Sequence, residues 1–189
     1  MEFASKYAET SHEFKDICPV CNRESLLVRE VIYVIPDIGK VLLVSRLCSV
    51  CGFKRNEQVP LTKRPRRRIY YRVSSVKGLY AKIVRSNLAS IEIVELGSEI
   101  SPGSQASFFI TNVEGMLQKF IDILRTMKIL NICKRGELSI EKAITEMLKG
   151  ERPFTVIIDD PLGISMIKPK DHSAGKMLIE EVEGELTTL

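Results

Sequence analysis

Two Cys-x-x-Cys pairs restrict the fold of this chain more than any other feature of its sequence. Cys18 and Cys21 form the first pair, Cys48 and Cys51 form the second, and residues 22–47 separate them. Each pair can form a tight turn that directs two sulfur atoms to one point. Four thiolates in that arrangement are typical ligands of a tetrahedral structural zinc. The spacing therefore predicts one structural zinc ion per chain, bound by these four cysteines.

The segment between the cysteine pairs predicts a β-hairpin that brings the pairs together. Apolar and β-branched residues run from Leu26 to Ile35 and again from Val41 to Leu47. Pro36 and Gly39 lie between the two runs, and both residue types are typical of turns. A Cys-x-x-Cys pair can instead serve thiol redox chemistry, but that motif opens a helix in a βαβ unit, and neither pair here does. The pattern favours a four-cysteine zinc ribbon.

Composition and charge are those of an ordinary globular protein. The 189 residues include 28 lysines and arginines against 24 acidic residues, and 44% are hydrophobic, which excludes a fibrous or wholly disordered chain. No apolar run reaches the ~18 residues of a membrane-spanning helix. The N-terminus lacks the pattern of a signal peptide. We therefore expect a cytoplasmic protein that does not bind membranes.

Changes in residue pattern along the chain predict five segments. These are a loose lead-in at 1–17, the zinc ribbon at 18–59, a basic linker at 60–68, a second domain at 69–168 and a polar tail at 169–189. Strand-like runs cover 69–74, 79–84, 89–96 and 154–159 of the second domain. Between them, apolar residues repeat at helical spacing from Val113 to Met127 and from Ile140 to Leu148. A helical hairpin is expected at about 112–149, with Thr111 and Ser139 as N-terminal caps. The predicted fold class is thus mainly β with a helical hairpin, an α+β arrangement.

A basic cluster follows the ribbon and is a candidate nucleic-acid contact. Two tyrosines come directly after it, and cations beside aromatic rings can bind RNA through phosphates and stacked bases. The alternatives are a solvated linker or a patch that faces an acidic protein, and the near-neutral overall charge favours these. Nucleic-acid binding is therefore expected to be weak or absent. The five cations of the cluster are Lys63, Arg64, Arg66, Arg67 and Arg68.

The sequence gives no positive indication of an enzyme. Walker, Gly-x-Ser-x-Gly and His-Glu-x-x-His motifs do not occur. Asp159 and Asp160 are adjacent carboxylates, but neighbouring residues of a strand point to opposite faces, which is a poor arrangement for an acid–base pair. A role in the turn that follows them is the better interpretation. We expect no catalytic residues.

The ordered set of motifs resembles the ZPR-type zinc-finger proteins, in the single-module form found in archaea. The ribbon matches at both cysteine pairs, at Ile35-Pro36 and Gly39, and at Arg55-Asn56-Glu57. In the second domain the matching segments are 84–86, 95–96, 99–105, 113–115, 153–155 and 159–163. Together they span residues 18–167. The chain departs from many relatives at Ile164, where asparagine is common, and at Ala106, where glycine is common.

The resemblance implies a fold and a partner. The family joins a four-cysteine zinc ribbon to a small domain of double-stranded β-helix type that carries a helical hairpin. Eukaryotic members contain this module twice, bind translation elongation factor 1-alpha and are implicated in its folding. The resemblance thus implies that a single-module protein binds the archaeal homologue of that factor and assists its folding or handling. The alternative is an RNA-binding zinc-ribbon protein that acts through the basic cluster.

The hairpin turn is the candidate contact surface for a protein partner, because a zinc ribbon exposes its hairpin tip. Ile38 is an apolar residue in a turn that would normally be polar. It is expected either to contact the partner or to pack on the neighbouring domain. The candidate contact residues are Pro36, Asp37, Ile38 and Gly39.

Overall fold

The computed structural model describes residues 8–104, 106–132, 137–171 and 175–182. The chain forms two compact units, one ending at Lys63 and the other beginning at Arg64. The division falls inside the segment interpreted as the basic linker, 60–68. None of the described helices is long and apolar enough to cross a membrane.

The first unit is a four-stranded antiparallel sheet in the order β1-β2-β3-β4. Its strands are β1 (Ala8–Ile17), β2 (Glu24–Ile35), β3 (Gly39–Cys48) and β4 (Lys54–Pro60). Strands β2 and β3 form the predicted hairpin, paired from Leu26 with Cys48 to Ile35 with Gly39. One core cluster contains Cys18, Leu26, Val28, Val44 and Cys48, so two of its five buried members are predicted metal ligands. Val31, Ile38 and Val41 are also buried in this unit.

The prediction of a loose lead-in is wrong for the described residues 8–17. Strand β1 pairs with β2 along its length, for example His12 with Glu30. Nine of its ten residues are exposed, so no apolar periodicity marks it as a strand. It is held by the backbone ladder and by ion pairs such as Arg29–Glu13, in which an arginine nitrogen lies 2.6 Å from a carboxylate oxygen. Strand β4 is the other edge strand of this sheet, and most of its residues are also exposed.

The second unit contains two antiparallel sheets, one of five strands and one of three. The order is β12-β5-β10-β7-β8 in the larger sheet and β11-β6-β9 in the smaller one. The strands are β5 (Arg67–Val73), β6 (Lys82–Arg85), β7 (Ser90–Ile93), β8 (Ser98–Ile100), β9 (Phe109–Asn112), β10 (Phe154–Asp160), β11 (Met166–Lys168) and β12 (Gly175–Glu181). This arrangement confirms the predicted mainly β fold with a helical insertion.

Three helices accompany these sheets: α1 (Val76–Leu79), α2 (Val113–Ile129) and α3 (Glu137–Leu148). Helices α2 and α3 form the predicted helical hairpin and contact each other. Their apolar faces join residues of both sheets in one core, in which Met116, Leu117, Ile144 and Met147 are fully buried. The period of 3.6 residues therefore identified the buried faces correctly.

The predicted helix caps need correction. The N-terminal cap of α2 is Asn112, whose side-chain oxygen accepts a hydrogen bond from the Gly115 amide at 2.8 Å. Thr111, the predicted cap, is the preceding residue of β9. Helix α3 begins before Ser139, so Ser139 does not cap it. The sequence also predicts that Gly136 ends the first helix and that Cys133 is buried, and both residues lie outside the described residues.

The polar tail at 169–189 is also a strand in part. Residues Gly175–Glu181 form β12, which pairs with β5 at the edge of the larger sheet. Six of its seven residues are exposed, so it lacks the alternation that identifies a half-buried strand. The interpretation of this segment as a tail is wrong because backbone pairing, and not apolar burial, holds it in place.

Candidate metal centre

The four cysteines converge at one end of the first unit. Their sulfur atoms all lie within 4.8 Å of one another. Two of these distances join opposite pairs: 3.6 Å between the Sγ atoms of Cys18 and Cys51, and 3.7 Å between those of Cys21 and Cys48. Four sulfurs around a tetrahedral ion with bonds of ~2.3 Å would be about 3.8 Å apart. The side chains are therefore already spaced to hold a metal ion.

The two Cys-x-x-Cys pairs form turns with the same hydrogen bonds. In the first, the Cys18 amide donates to the Arg23 carbonyl at 2.9 Å, and the Asn22 amide donates to the Cys18 carbonyl at 2.9 Å. In the second, the corresponding bonds are Cys48 to Phe53 at 2.8 Å and Gly52 to Cys48 at 3.1 Å. The centre thus consists of one structural unit used twice.

Each turn requires a residue with positive φ directly after its second cysteine. Gly52 has a φ of 73° and Asn22 has a φ of 53°. Glycine and asparagine are the residues that adopt this left-handed conformation most readily. The sequence predicts this conformation at Gly52, because a glycine directly after Cys51 suits such a turn, but sequence reasoning missed Asn22. Aligning the two pairs on their cysteines would have revealed it, because Asn22 and Gly52 then occupy the same position.

Hydrogen-bond donors surround the sulfur atoms. The Val20 amide donates to Cys18 Sγ, and the Cys51 amide donates to Cys48 Sγ, both at 3.4 Å. The Ser25 hydroxyl lies 3.1 Å from Cys48 Sγ and 3.9 Å from Cys21 Sγ. Sequence reasoning missed Ser25, since only the hairpin register brings it beside the second pair. These donors stabilise thiolates, the form in which cysteine binds metals.

In the absence of a bound cation, the surroundings of the four sulfurs favour one thiolate and oppose the formation of further thiolates. Hydrogen bonds from the Cys51 amide and from the Ser25 hydroxyl lower the pKa of Cys48 to about 6. At Cys51 the Phe53 amide lowers the pKa, but burial and the neighbouring sulfurs together raise it to about 12. A bound cation would remove this conflict, because it attracts all four thiolates. Four protein ligands fill a tetrahedral shell, which is typical of structural sites.

The hairpin turn differs from the predicted contact surface at one residue. Pro36 and Asp37 are exposed, but Ile38 is only 2% exposed. The expectation of an exposed, apolar Ile38 is therefore wrong, because its side chain is buried. Gly39 has a φ of 108°, and a Cβ atom there would collide with the Thr62 side chain. Glycine is thus required at this position on two grounds.

Arg66, Arg67 and Arg68 of the basic cluster form ion pairs with carboxylates. Arg66 donates from Nε and Nη2 to the two oxygens of Asp159 at 2.9 and 2.8 Å, and Arg68 Nη2 donates to the same carboxylate at 2.6 Å. Arg67 Nη2 lies 3.2 Å from Glu181. Arg67 and Arg68 belong to β5, so the cluster is not confined to a linker. Lys63 is exposed and Arg64 is half-buried.

Asp159 and Asp160 lie on opposite faces of β10, as predicted. Asp159 is held by the two arginines, whereas Asp160 is fully buried. The carboxylate of Asp160 accepts hydrogen bonds from the Ser86 hydroxyl at 2.6 Å and from the amides of Leu162, Ile164 and Ser165 at 2.6–2.9 Å. The predicted role of this pair in the following turn is confirmed for Asp160.

Comparison with known proteins places the whole chain in one family. A family model described as the ZPR1 jelly-roll domain matches residues 77–186. An uncharacterized ZPR1-like protein of Methanocaldococcus jannaschii is 34% identical over 171 residues, which are 88% of this chain and 86% of the relative. A similar protein of Pyrococcus horikoshii is 31% identical over 172 residues, 87% of this chain and 77% of the relative.

A longer eukaryotic relative shows the same likeness over part of its length. The zinc finger chaperone zpr1 of Schizosaccharomyces pombe is 28% identical over 172 residues, which are 83% of this chain but 36% of that protein. The paired cysteine turns, the β-rich second unit with its helical hairpin, and these matches agree. The chain belongs to the ZPR1 family.

Proposed function

We propose that the four cysteines bind one structural zinc ion per chain and that the protein is a binding module for the archaeal homologue of translation elongation factor 1-alpha. The observation that carries the metal assignment is the cluster of four sulfurs within 4.8 Å, built from two turns with the same backbone hydrogen bonds. Relatives named zinc finger proteins support zinc as the ion. A four-thiolate site serves to hold the fold, so we assign the ion no catalytic step.

The proposed partner comes from the family resemblance. The relative from Schizosaccharomyces pombe is named a chaperone, which supports a role in handling another protein. The role proposed here is to assist folding or handling of the elongation factor, with no catalytic turnover by this chain. Of the predicted contact residues, Pro36 and Asp37 are exposed and remain the proposed contact, whereas Ile38 is buried.

The alternative of an RNA-binding protein receives less support. Arg66 and Arg68 share the carboxylate of Asp159, and Arg67 pairs with Glu181. Phosphate contacts by these arginines would require breaking ion pairs that the fold already provides. We therefore propose that nucleic-acid binding is at most weak, unselective and sensitive to salt.

Affinity capture from archaeal lysate, with and without nuclease, tests the proposed partner. We expect the elongation factor to be recovered in stoichiometric amount and to resist nuclease. Calorimetry with the purified pair then measures binding in both nucleotide states and with the factor partly unfolded. The absence of association under all of these conditions would show that the partner is wrong, while the metal assignment would stand.

A further inference from the structure

A cavity of about 390 Å³ opens at one side of the second unit. It lies where β8, the edge strand of the five-stranded sheet, and β9, the edge strand of the three-stranded sheet, meet the side of helix α2. Residues of β6, β7, β8, β9 and α2 form its walls. Its volume is within the range of about 300–1,000 Å³ found for small-molecule sites.

The walls are largely apolar, but two cations lie in them. Ile91, Ile100 and Met116 are among the apolar lining residues. Arg85 and Lys119 also line the cavity and lie beside the ring of Phe109: the Arg85 guanidinium carbon is 5.5 Å from the ring centroid, and Lys119 Nζ is 4.8 Å from it. Two positive charges of the cavity wall thus lie beside one aromatic ring.

Arg85 is the unusual member of this group. It is 5% exposed, and within the described chain its Nε atom is buried without a hydrogen-bond partner. Arginine stays charged in proteins, and a buried donor without an acceptor is costly. Burial lowers the pKa of Arg85, and the nearby charge of Asp160 offsets this only in part. Both oxygens of Asp160 are already engaged by Ser86 and by backbone amides.

The remaining charged wall residue limits the kind of anion that fits. Asp122 lines the cavity, accepts a hydrogen bond from Gln118 at 3.2 Å and lies 3.8 Å from Arg125. Two cations and one carboxylate give these wall residues a net charge of +1, which a ligand with a single negative charge would balance. A dianion such as phosphate would meet more repulsion from Asp122, and its oxygens would face the apolar walls.

We propose that this cavity binds a ligand with one carboxylate on an apolar body about the size of an amino-acid residue. The guanidinium of Arg85 and the ammonium of Lys119 pair with the carboxylate, since a planar guanidinium matches a carboxylate well. The apolar walls bury the body of the ligand. The ligand is either the C-terminal residue of a peptide or a free organic acid, and the site does not rest on elongation-factor binding.

NMR titration of the full-length, metal-loaded protein tests this site with three probes. N-acetylleucine represents the free acid, a short peptide ending in leucine represents a C-terminus, and N-acetylleucinamide is the neutral control. We expect the two acids to shift the amide signals of Ile91 and Phe109, and the neutral amide to bind at least about tenfold more weakly. Tighter binding of the peptide assigns a C-terminus, and equal or tighter binding of N-acetylleucine assigns a free acid. Equal binding of acid and amide, no shifts with any probe, or stronger competition by inorganic phosphate would overturn the proposal.

Two variants and a matched control separate binding from folding. We expect Arg85→Met and Lys119→Gln each to weaken binding of the acid by about tenfold or more. Lys128→Gln changes an exposed lysine of the same helix outside the cavity and should leave affinity unchanged. Arg85→Met should melt at the same temperature as the wild type or higher, because it removes a buried Nε–H that lacks an acceptor. Unchanged acid affinity in Lys119→Gln and in a folded Arg85→Met would contradict the assignment.

Discussion

The two compact units differ in the size and composition of their cores. In the first unit the core cluster of the described residues has five buried members, and two of them are the ligand cysteines Cys18 and Cys48. In the second unit the corresponding cluster of described residues has twenty members, eighteen of them in two sheets and three helices. Since apolar burial is the main stabilising term of a fold, the small unit needs a cross-link and the large one does not. We infer that metal holds the first unit together and that hydrophobic packing holds the second.

The largest expected effect is the loss of one metal ligand. Cys48→Ser removes a thiolate that is buried in the core of the first unit. Because zinc-binding energy of about 10–16 kcal/mol is also folding energy in small zinc domains, the first unit should unfold while the second stays folded. Hydrogen exchange resolved by residue measures both units in one experiment. Cys133→Ser is the control, and uniform loss of protection in both units would refute their independence.

The opposite perturbation targets the second core. Ile158 is fully buried in β10, where it pairs with Ile69 on one side and Ile91 on the other. Ile158→Ala should lower the free energy of unfolding of the second unit by about 2–5 kcal/mol through a cavity, and should leave the metal content unchanged. Denaturant unfolding monitored separately in the two units gives the result. Leu178→Ala, at a side chain that is 56% exposed, should have little effect; a comparable loss there would argue against a packing origin.

A smaller effect is expected from the hydroxyl beside the sulfurs. Ser25→Ala removes the contact of 3.1 Å with Cys48 Sγ, which helps to keep the pKa of that thiol low. Loss of such an outer hydrogen bond should weaken metal affinity by about tenfold, as is usual for residues that support ligands. Competition with a chromophoric chelator measures the change. Ser49→Ala alters an exposed serine of the second turn and serves as the control; equal effects of the two variants would mean that the Ser25 contact is unimportant.

The smallest expected effect is the pH dependence of the free energy of unfolding of the second unit. Hydrogen bonds from Arg66, and then from Arg68, hold the pKa of Asp159 below its ordinary value. The folded state therefore binds this proton less tightly than the unfolded chain, whose aspartate pKa is about 3.9. The stabilisation is fully present above that value and is lost as the pH falls through the folded-state pKa. It should be about 1 kcal/mol.

Unfolding of the second unit by urea at several pH values tests this expectation. Asp159→Asn should flatten the acid dependence of its free energy of unfolding. Glu181→Gln, which alters a carboxylate that is 63% exposed, should leave the dependence almost unchanged. An identical acid slope in Asp159→Asn and in the wild type would contradict the sign of the shift.

The sequence predicts those parts of the fold in which local pattern and burial agree. The cysteine spacing and the β2–β3 hairpin follow from residues close in sequence, and helices α2 and α3 follow from their apolar period. Strands β1 and β12 were missed because their side chains are exposed and their partners are backbone groups of another strand. The pairing of Arg68 with Asp159 joins residues far apart in the chain. Only the strand register reveals such a contact.

At the metal centre the ligands were predictable and their supporting groups were not. Four cysteines in two Cys-x-x-Cys pairs indicate a tetrahedral metal site even when the fold is unknown. Asn22 and Ser25 act through a backbone angle and a hydrogen bond that depend on the folded turn. Ile38 shows the opposite error, because an apolar residue in a polar turn can be either a contact or a core residue. Burial decides between these, and burial is a property of the tertiary structure.

The most direct test of metal-dependent folding in the first unit is the zinc content of the purified, folded wild-type protein. Native mass spectrometry with elemental analysis gives the number and identity of bound ions, before and after treatment with a strong chelator. We expect one zinc per chain before treatment, and loss of hydrogen-exchange protection confined to residues 8–63 after its removal. Zinc well below one equivalent in a folded sample, or full protection of the first unit without metal, would contradict the role assigned to Cys18, Cys21, Cys48 and Cys51.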